Sequence, residues 1–144
     1  MKKAIIINGP NLNLTGSREK DIYGVKSFDD FYKEKLLVFA KKNNINLEYF
    51  QSNHEGLIID KIHECIDAKE YNIIINPGAL THYSYAIHDA LVACMFPVIE
   101  VHISNIYNRE NWRKNSVISP SVTGVISGLG LSGYMLALRF ISEF

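Results

Sequence analysis

Ala4-Ile5-Ile6-Ile7-Asn8-Gly9-Pro10-Asn11 is the stretch that decides the fold. Four apolar residues without polar alternation describe a strand covered on both faces, as in a parallel sheet, and Asn8-Gly9-Pro10 closes it. Ile73-Ile74-Ile75 and Val98 to Ile103 repeat the pattern. Between these runs the apolar period changes to that of a helix. A first helix opens at Ser27, with Asp30 three positions on as a capping box, and lines up Phe28, Phe31, Tyr32, Leu36, Phe39 and Ala40 before Asn43-Asn44 stops it. Ile45, Leu47 and Tyr49 alternate as a second strand. Ile58, Ile62, Cys65 and Ile66 form a second helical face, and Ala86, Ala90, Leu91 and Cys94 a third before Pro97. A weaker strand near Val122 to Ile126 precedes a last helix with Leu131, Met135, Leu138 and Ile141. Five strands alternating with helices predict an α/β, doubly wound, five-stranded parallel sheet of flavodoxin-like order, helices on both faces, with residues 1–144 as one catalytic domain.

The chain has 144 residues, 47% of them hydrophobic and 21% charged, which is enough apolar material to enclose one core. Fifteen basic residues balance fifteen acidic ones, so the broad positive footprint of a nucleic-acid-binding surface is missing. Cys65 and Cys94 are too few for a disulfide framework and too far apart for a zinc knuckle. No apolar run reaches the length of a signal sequence or membrane span, and the expectation is a cytoplasmic protein that engages no membrane.

The polar clusters Asn8 to Asn13, Gln51 to Glu55, Asn76 to His82 and His102 to Asn105 each follow the carboxyl end of an expected strand, where open α/β sheets bind ligands. Residues 9–24 make a long connection where a short loop would suffice, which fits an active-site lid as well as a solvated loop. Within it, Arg18 and Tyr23 suggest chemistry. A phenol of ordinary pKa about 10 needs roughly 4 kcal/mol of differential stabilisation to ionise near neutrality. A guanidinium about 4 Å away supplies on the order of that amount at an effective dielectric near 20.

Glu100 and His102 stand two apart in a strand and so share a face, an arrangement suited to an oriented, charged imidazole or to a structural pair. Asn76-Pro77-Gly78-Ala79 reads as a tight turn with exposed backbone donors, although turn chemistry alone accounts for it. Ser52 or Asn53 is a candidate cap for the following helix. Arg109, Arg113 and Lys114 form the densest basic stretch, fit for a small anion or for solvent. Gly128, Gly130 and Gly133 match G-x-G-x-x-G, but the acidic partner about 20 positions on has no place before Phe144, so close packing of the last helix is expected instead. The plainest motifs of a P-loop, a hydrolase elbow or a zinc protease do not occur.

In order, Gly9 to Leu14, Arg18-Glu19, Tyr23-Gly24, Gln51 to Gly56, Ile75 to Ala79, Thr81-His82, Asp89-Ala90, Glu100 to Asn105, Arg113 and Gly133-Tyr134 resemble the type II 3-dehydroquinases over nearly the whole chain. The resemblance implies dehydration of 3-dehydroquinate to 3-dehydroshikimate in the shikimate pathway without metal or cofactor. It implies Tyr23 as base, Arg18 lowering its pKa with help from Arg109, Asn11 holding a water on the enolate oxygen, and His102 as the acid oriented by Glu100. By the same likeness the substrate carboxylate sits on Asn76 and the amides of Ile103 and Ser104, while His82 and Arg113 take ring hydroxyls. Asp89 is expected from a neighbouring subunit, the family forming trimers assembled into dodecamers. Lys20, His88, Tyr107 and Lys114-Asn115 depart from the family's usual residues and bear on lid stiffness and substrate affinity. A flavin- or nucleotide-binding module on the same fold, or a scaffold without chemistry, are the other readings.

Overall fold

The computed structural model describes residues 1–144 except Arg18 and the side chain of Tyr23. Strands β1 (Lys2–Asn8), β2 (Ile45–Gln51), β3 (Tyr71–Asn76), β4 (Val98–His102) and β5 (Gly124–Ser127) form one sheet in the order β2-β1-β3-β4-β5, every neighbouring pair parallel. This is the flavodoxin-like order that the alternating pattern predicts. After β2 the chain crosses back over β1 to lay down β3, so the order of winding reverses between β1 and β3. Loops leaving the carboxyl ends there diverge to opposite faces and open a crevice.

The uninterrupted apolar runs have a simple cause. Successive side chains of a strand point to opposite faces, and both faces are covered. Ala4 and Ile6 of β1, Ile74 of β3 and Ile99 and Val101 of β4 face one core with Phe28, Leu36, Tyr134 and Leu138. Ile5, Ile7, Ile73, Ile75 and Val98 face the other, against Ile58, Ile62, Ile87 and Leu91. Complete burial of a Leu, Ile or Phe side chain contributes about 1.5–3 kcal/mol, so the two cores supply most of the favourable burial energy.

The short helix α1 (Lys20–Tyr23) lies in the long loop after β1. The next helical run begins as expected, the Ser27 hydroxyl accepting from the Asp30 amide at 3.1 Å. It is not one regular helix: α2 (Phe28–Phe31) and α3 (Leu37–Lys42) are joined by a π-helical turn, Tyr32–Leu36. A π turn takes up one more residue than an α turn, a difference that apolar spacing does not resolve. Helices α4 (Glu55–Ala68) and α6 (Ser132–Glu143) follow the predicted faces, whereas α5 (Tyr85–Val92) buries Ala90 and Leu91 as expected but turns Ile87 inward and leaves Ala86 exposed. Cys94 falls just past the end of α5, and the weak last strand lies two residues later than Val122.

Gly128, with φ of 92°, lets the chain pass close to Asn105, and of the three late glycines only Gly133 packs the last helix against the sheet. A Cβ there would stand 3.1 Å from Val101 Cγ1 and 3.4 Å from Ile126 Cγ2, whereas one on Gly130 would meet nothing within 4 Å. Among the described residues, no helix is long and apolar enough to cross a membrane.

Candidate active site

Three loops converge beyond the carboxyl ends of β1, β3 and β4. They press together because Gly9 has no side chain: a Cβ there would lie 2.4 Å from the Pro77 carbonyl oxygen, and the Gly9 amide instead donates to Asn76 O at 2.8 Å. The result is a cleft of about 550 Å³, partly open to solvent, lined in part by Asn11, Asn76, His82, His102, Ile103, Ser104, Arg109 and Arg113. Eight of the residues singled out in the sequence therefore meet on one surface, although they span positions 11 to 113.

His102 closes β4 with its ring almost wholly buried, and its Nε2 lies 2.7 Å from Glu100 Oε1. The two are on one face, as their spacing requires. Glu100 is fully buried, so its charge needs hydrogen-bond partners. Ser119 Oγ donates to Oε2 at 2.6 Å, Ser116 Oγ to Oε1 at 3.3 Å, and the Thr81 hydroxyl also donates to Oε1. Burial alone would push the Glu100 carboxyl up; the hydrogen bond and charge of His102, with the Ser119 and Thr81 hydroxyls, outweigh it and leave the group below the usual glutamate range. An acceptor-only carboxylate fixes the proton of the dyad on Nε2, leaving Nδ1 as the ring nitrogen for the cleft side.

His82 is held differently. Its Nδ1 is 2.7 Å from the Asn115 carbonyl, which can only accept, so Nδ1 carries the proton. Burial lowers its pKa, with the Asn115 carbonyl opposing. A neutral ring whose Nε2 has no hydrogen-bond partner among the described residues suits a hydroxyl-bearing ligand. Because the contact is to backbone, the unusual side chain at Asn115 leaves it intact. Trp112 meets the His82 ring edge-on at 5.2 Å and carries the Arg113 guanidinium over its face at 4.0 Å, and Arg113 Nε is held by Glu110 at 2.6 Å.

Arg109 reaches Ser104 Oγ through NH1 at 3.1 Å and lies 3.8 Å from Glu19 of the long loop. Asp21 and Ile22 of α1 share a second groove with Ile103, Ser104, Asn108 and Arg109, which puts this loop at the mouth of the cleft. Tyr23 closes α1; its side chain, and the whole of Arg18, lie outside the described residues. Asp89 is not brought into the cleft. It sits on the exposed face of α5, its carboxylate 3.1 Å from His88 Nδ1.

Neither Ser52 nor Asn53 caps α4, whose N-cap is His54 without a side-chain cap bond. The Ser52 hydroxyl accepts from the His54 amide at 3.0 Å. Asn53 Oδ1 accepts from the Asn11 amide at 3.0 Å and from Gln51 Nε2, which also donates to Gly9 O. Asn11 is left-handed, with φ of 69°, and this bracing holds it there. Ser116 and Ser119 were not anticipated as partners of Glu100, nor Tyr134 as a partner of Asn8 and Asn76, since nothing in their spacing ties them together. Among the described residues, no group of three or more His, Cys, Asp or Glu is placed to hold a metal ion.

The family model for dehydroquinase class II matches residues 2–142. A 3-dehydroquinate dehydratase of Caldicellulosiruptor saccharolyticus is 56% identical over 99% of this chain and 98% of its own length. The crystal structure of a type II dehydroquinase from Propionibacterium acnes superposes with a TM-score of 0.96 at 42% identity, covering 100% of this chain and 98% of that one. That from Butyrivibrio crossotus gives 0.93 at 48% identity over 97% of each chain. With the cleft, the parallel sheet and near-complete coverage in agreement, the chain belongs to the class II dehydroquinases, lyases of the type II 3-dehydroquinate dehydratase kind.

Proposed function

We propose that the chain converts 3-dehydroquinate to 3-dehydroshikimate and water by anti elimination through an enolate, with Tyr23 as base and His102 as acid. The substrate is a cyclic β-hydroxy ketone bearing a carboxylate. Its dehydration needs a base for the proton next to the ketone, a partner for the enolate oxygen and an acid for the departing hydroxyl. The observation that carries this reading is the buried Glu100–His102 pair at the edge of a polar cleft, with the carboxylate held ionised by hydroxyl donors. Such a pair fixes the orientation of the imidazole, from which a proton passes to the leaving hydroxyl.

In this reading Tyr23, as phenolate, takes the proton. Arg18 lowers its pKa and stabilises the developing charge, and Arg109 assists. Asn11 holds a water against the enolate oxygen. The carboxylate rests on Asn76 and the amides of Ile103 and Ser104, and His82 and Arg113 take ring hydroxyls. After one turnover Tyr23 has gained a proton and His102 has lost one, and exchange with solvent restores both. Residues 1–144 act as one catalytic domain, with residues 9–24 as its lid. Asp89, remote from the cleft of its own chain, reaches the site of a neighbouring subunit in a trimer, four of which assemble into a dodecamer in the cytoplasm.

The test mixes purified protein with 3-dehydroquinate and follows the ultraviolet absorbance of the conjugated enone. Turnover is expected without added cofactor, unaffected by chelator or by borohydride with substrate, and nearly abolished in Tyr23→Phe. A borohydride-trapped adduct, or arrest by chelation, rules the mechanism out.

A further inference from the structure

Asn8 and Asn76 end β1 and β3 in paired register, and both are buried. Buried amides in an apolar sheet are costly unless hydrogen-bonded. Tyr134, on the first turn of α6, reaches between them: Asn76 Nδ2 donates to its hydroxyl at 2.8 Å, and the hydroxyl donates to Asn8 Oδ1 at 2.8 Å. The Tyr134 ring is fully buried, edge-on to Phe28 at 4.8 Å. Burial keeps the phenol far above its ordinary value and therefore neutral, with one proton to give. Since that proton goes to Asn8, the oxygen is an acceptor towards Asn76. On its other side, Asn76 Oδ1 accepts from the Gly78 amide at 3.1 Å. Both ends of the Asn76 amide are thus assigned, and the second N–H of Nδ2 is the group left to donate.

We propose that Tyr134 is a positioning residue for substrate recognition: through its hydroxyl it fixes the Asn76 amide so that the side chain offers a donor, not an acceptor, to the substrate's carboxylate. Without the phenol the Gly78 amide alone orients the Asn76 side chain, and a turn that presents its oxygen, which repels an anion, loses one of its two restraints. The inference rests on the reading that Asn76 binds the carboxylate.

Tyr134→Phe deletes the hydroxyl and keeps the ring that meets Phe28. The expected result is a KM for 3-dehydroquinate raised about tenfold, the size of one lost charge-assisted hydrogen bond, with kcat within about twofold of the parent. A cyclohexane carboxylate inhibitor should weaken by the same factor, and its neutral carboxamide should not. Added to Asn76→Ala, which should raise KM by itself, Tyr134→Phe should change KM no further. A raised KM in Asn76→Ala with an unchanged KM in folded Tyr134→Phe overturns the role of Tyr134. An unchanged KM in Asn76→Ala overturns instead the carboxylate reading beneath it. A purely structural role would lower the melting temperature and spare the carboxylate-against-carboxamide contrast. Should Tyr134→Phe fail to fold, Asn8→Ala interrupts the same chain one bond further out; a rise in KM of about threefold is expected, and an unchanged KM in the folded variant overturns the proposal.

Discussion

The two ends of the sheet hold cavities of opposite character. Beyond the carboxyl ends of β1, β3 and β4 lies the cleft described above, lined by asparagines, histidines and arginines. At the amino end of β3 lies a smaller cavity of about 370 Å³, bordered by Cys65, Ile66, Tyr71, Ile73, Cys94, Met95 and Phe96 with Lys69 at its rim. In the first, a fully buried carboxylate is held below its ordinary range by donors. In the second, burial pushes both thiols up to about 11, with no compensating donor outweighing it. Desolvation acts in both places, and what differs is whether polar partners were built to oppose it. An opening of useful size is therefore a weak guide to chemistry, whereas the presence of partners that keep a buried group charged is a strong one.

The contrast is broken most sharply at His102. His102→Ala should lower kcat by roughly 10²–10⁴ while leaving the fold intact, read by circular dichroism and the enone assay. A variant that retains most of its kcat would remove the acid from the cleft. Next in size, Arg109→Lys keeps the charge but loses the planar fork that reaches Ser104 and faces Glu19. A fall in kcat/KM of about 10- to 100-fold is expected, with the residual activity falling further as salt rises.

Glu100 offers a test through stability. Its folded pKa lies below the unfolded value of about 4.3, so its contribution is fully present above that pH and is lost as pH falls through the folded value. Glu100→Gln should cost about 2 kcal/mol at pH 7 in urea unfolding, and the gap to the parent should close below about pH 4. A gap constant down to pH 3 would mean that the carboxylate is not held by its hydroxyl donors.

The smallest effect belongs to the opposite cavity. At pH 8, Cys65 and Cys94 in the folded protein should alkylate with iodoacetamide at least about a hundredfold more slowly than free cysteine, because so little thiolate is present. Both should become reactive in urea. Fast labelling of native protein accompanied by lost turnover would tie the two cavities together, against the separation drawn here.

Much of this is legible in the sequence alone. The doubly covered strands announced themselves in Ala4 to Ile7 and Ile73 to Ile75 because burial on both faces favours an apolar residue at every position. Glu100 and His102 could be paired because a strand has a period of two, and the cleft residues could be grouped because they follow strand ends. The π turn at Tyr32–Leu36, the bracing of Asn11 by Asn53, and the ring of Thr81, Ser116 and Ser119 about Glu100 could not. Each depends on backbone detail or on contacts between segments tens of residues apart, for which serine, threonine and asparagine carry no periodic signal.

By itself, then, the sequence determined which segments are strands and helices, the parallel winding and the ends of the strands where chemistry belongs, because these follow from local periodicity and from burying apolar faces. Only the tertiary structure decided which hydroxyls keep Glu100 ionised, that His82 is protonated on Nδ1, and that Tyr134 bridges Asn8 and Asn76 across 126 positions of chain. Hydrogen bonds of this kind are set by distance and direction in three dimensions, and no spacing along the chain encodes them.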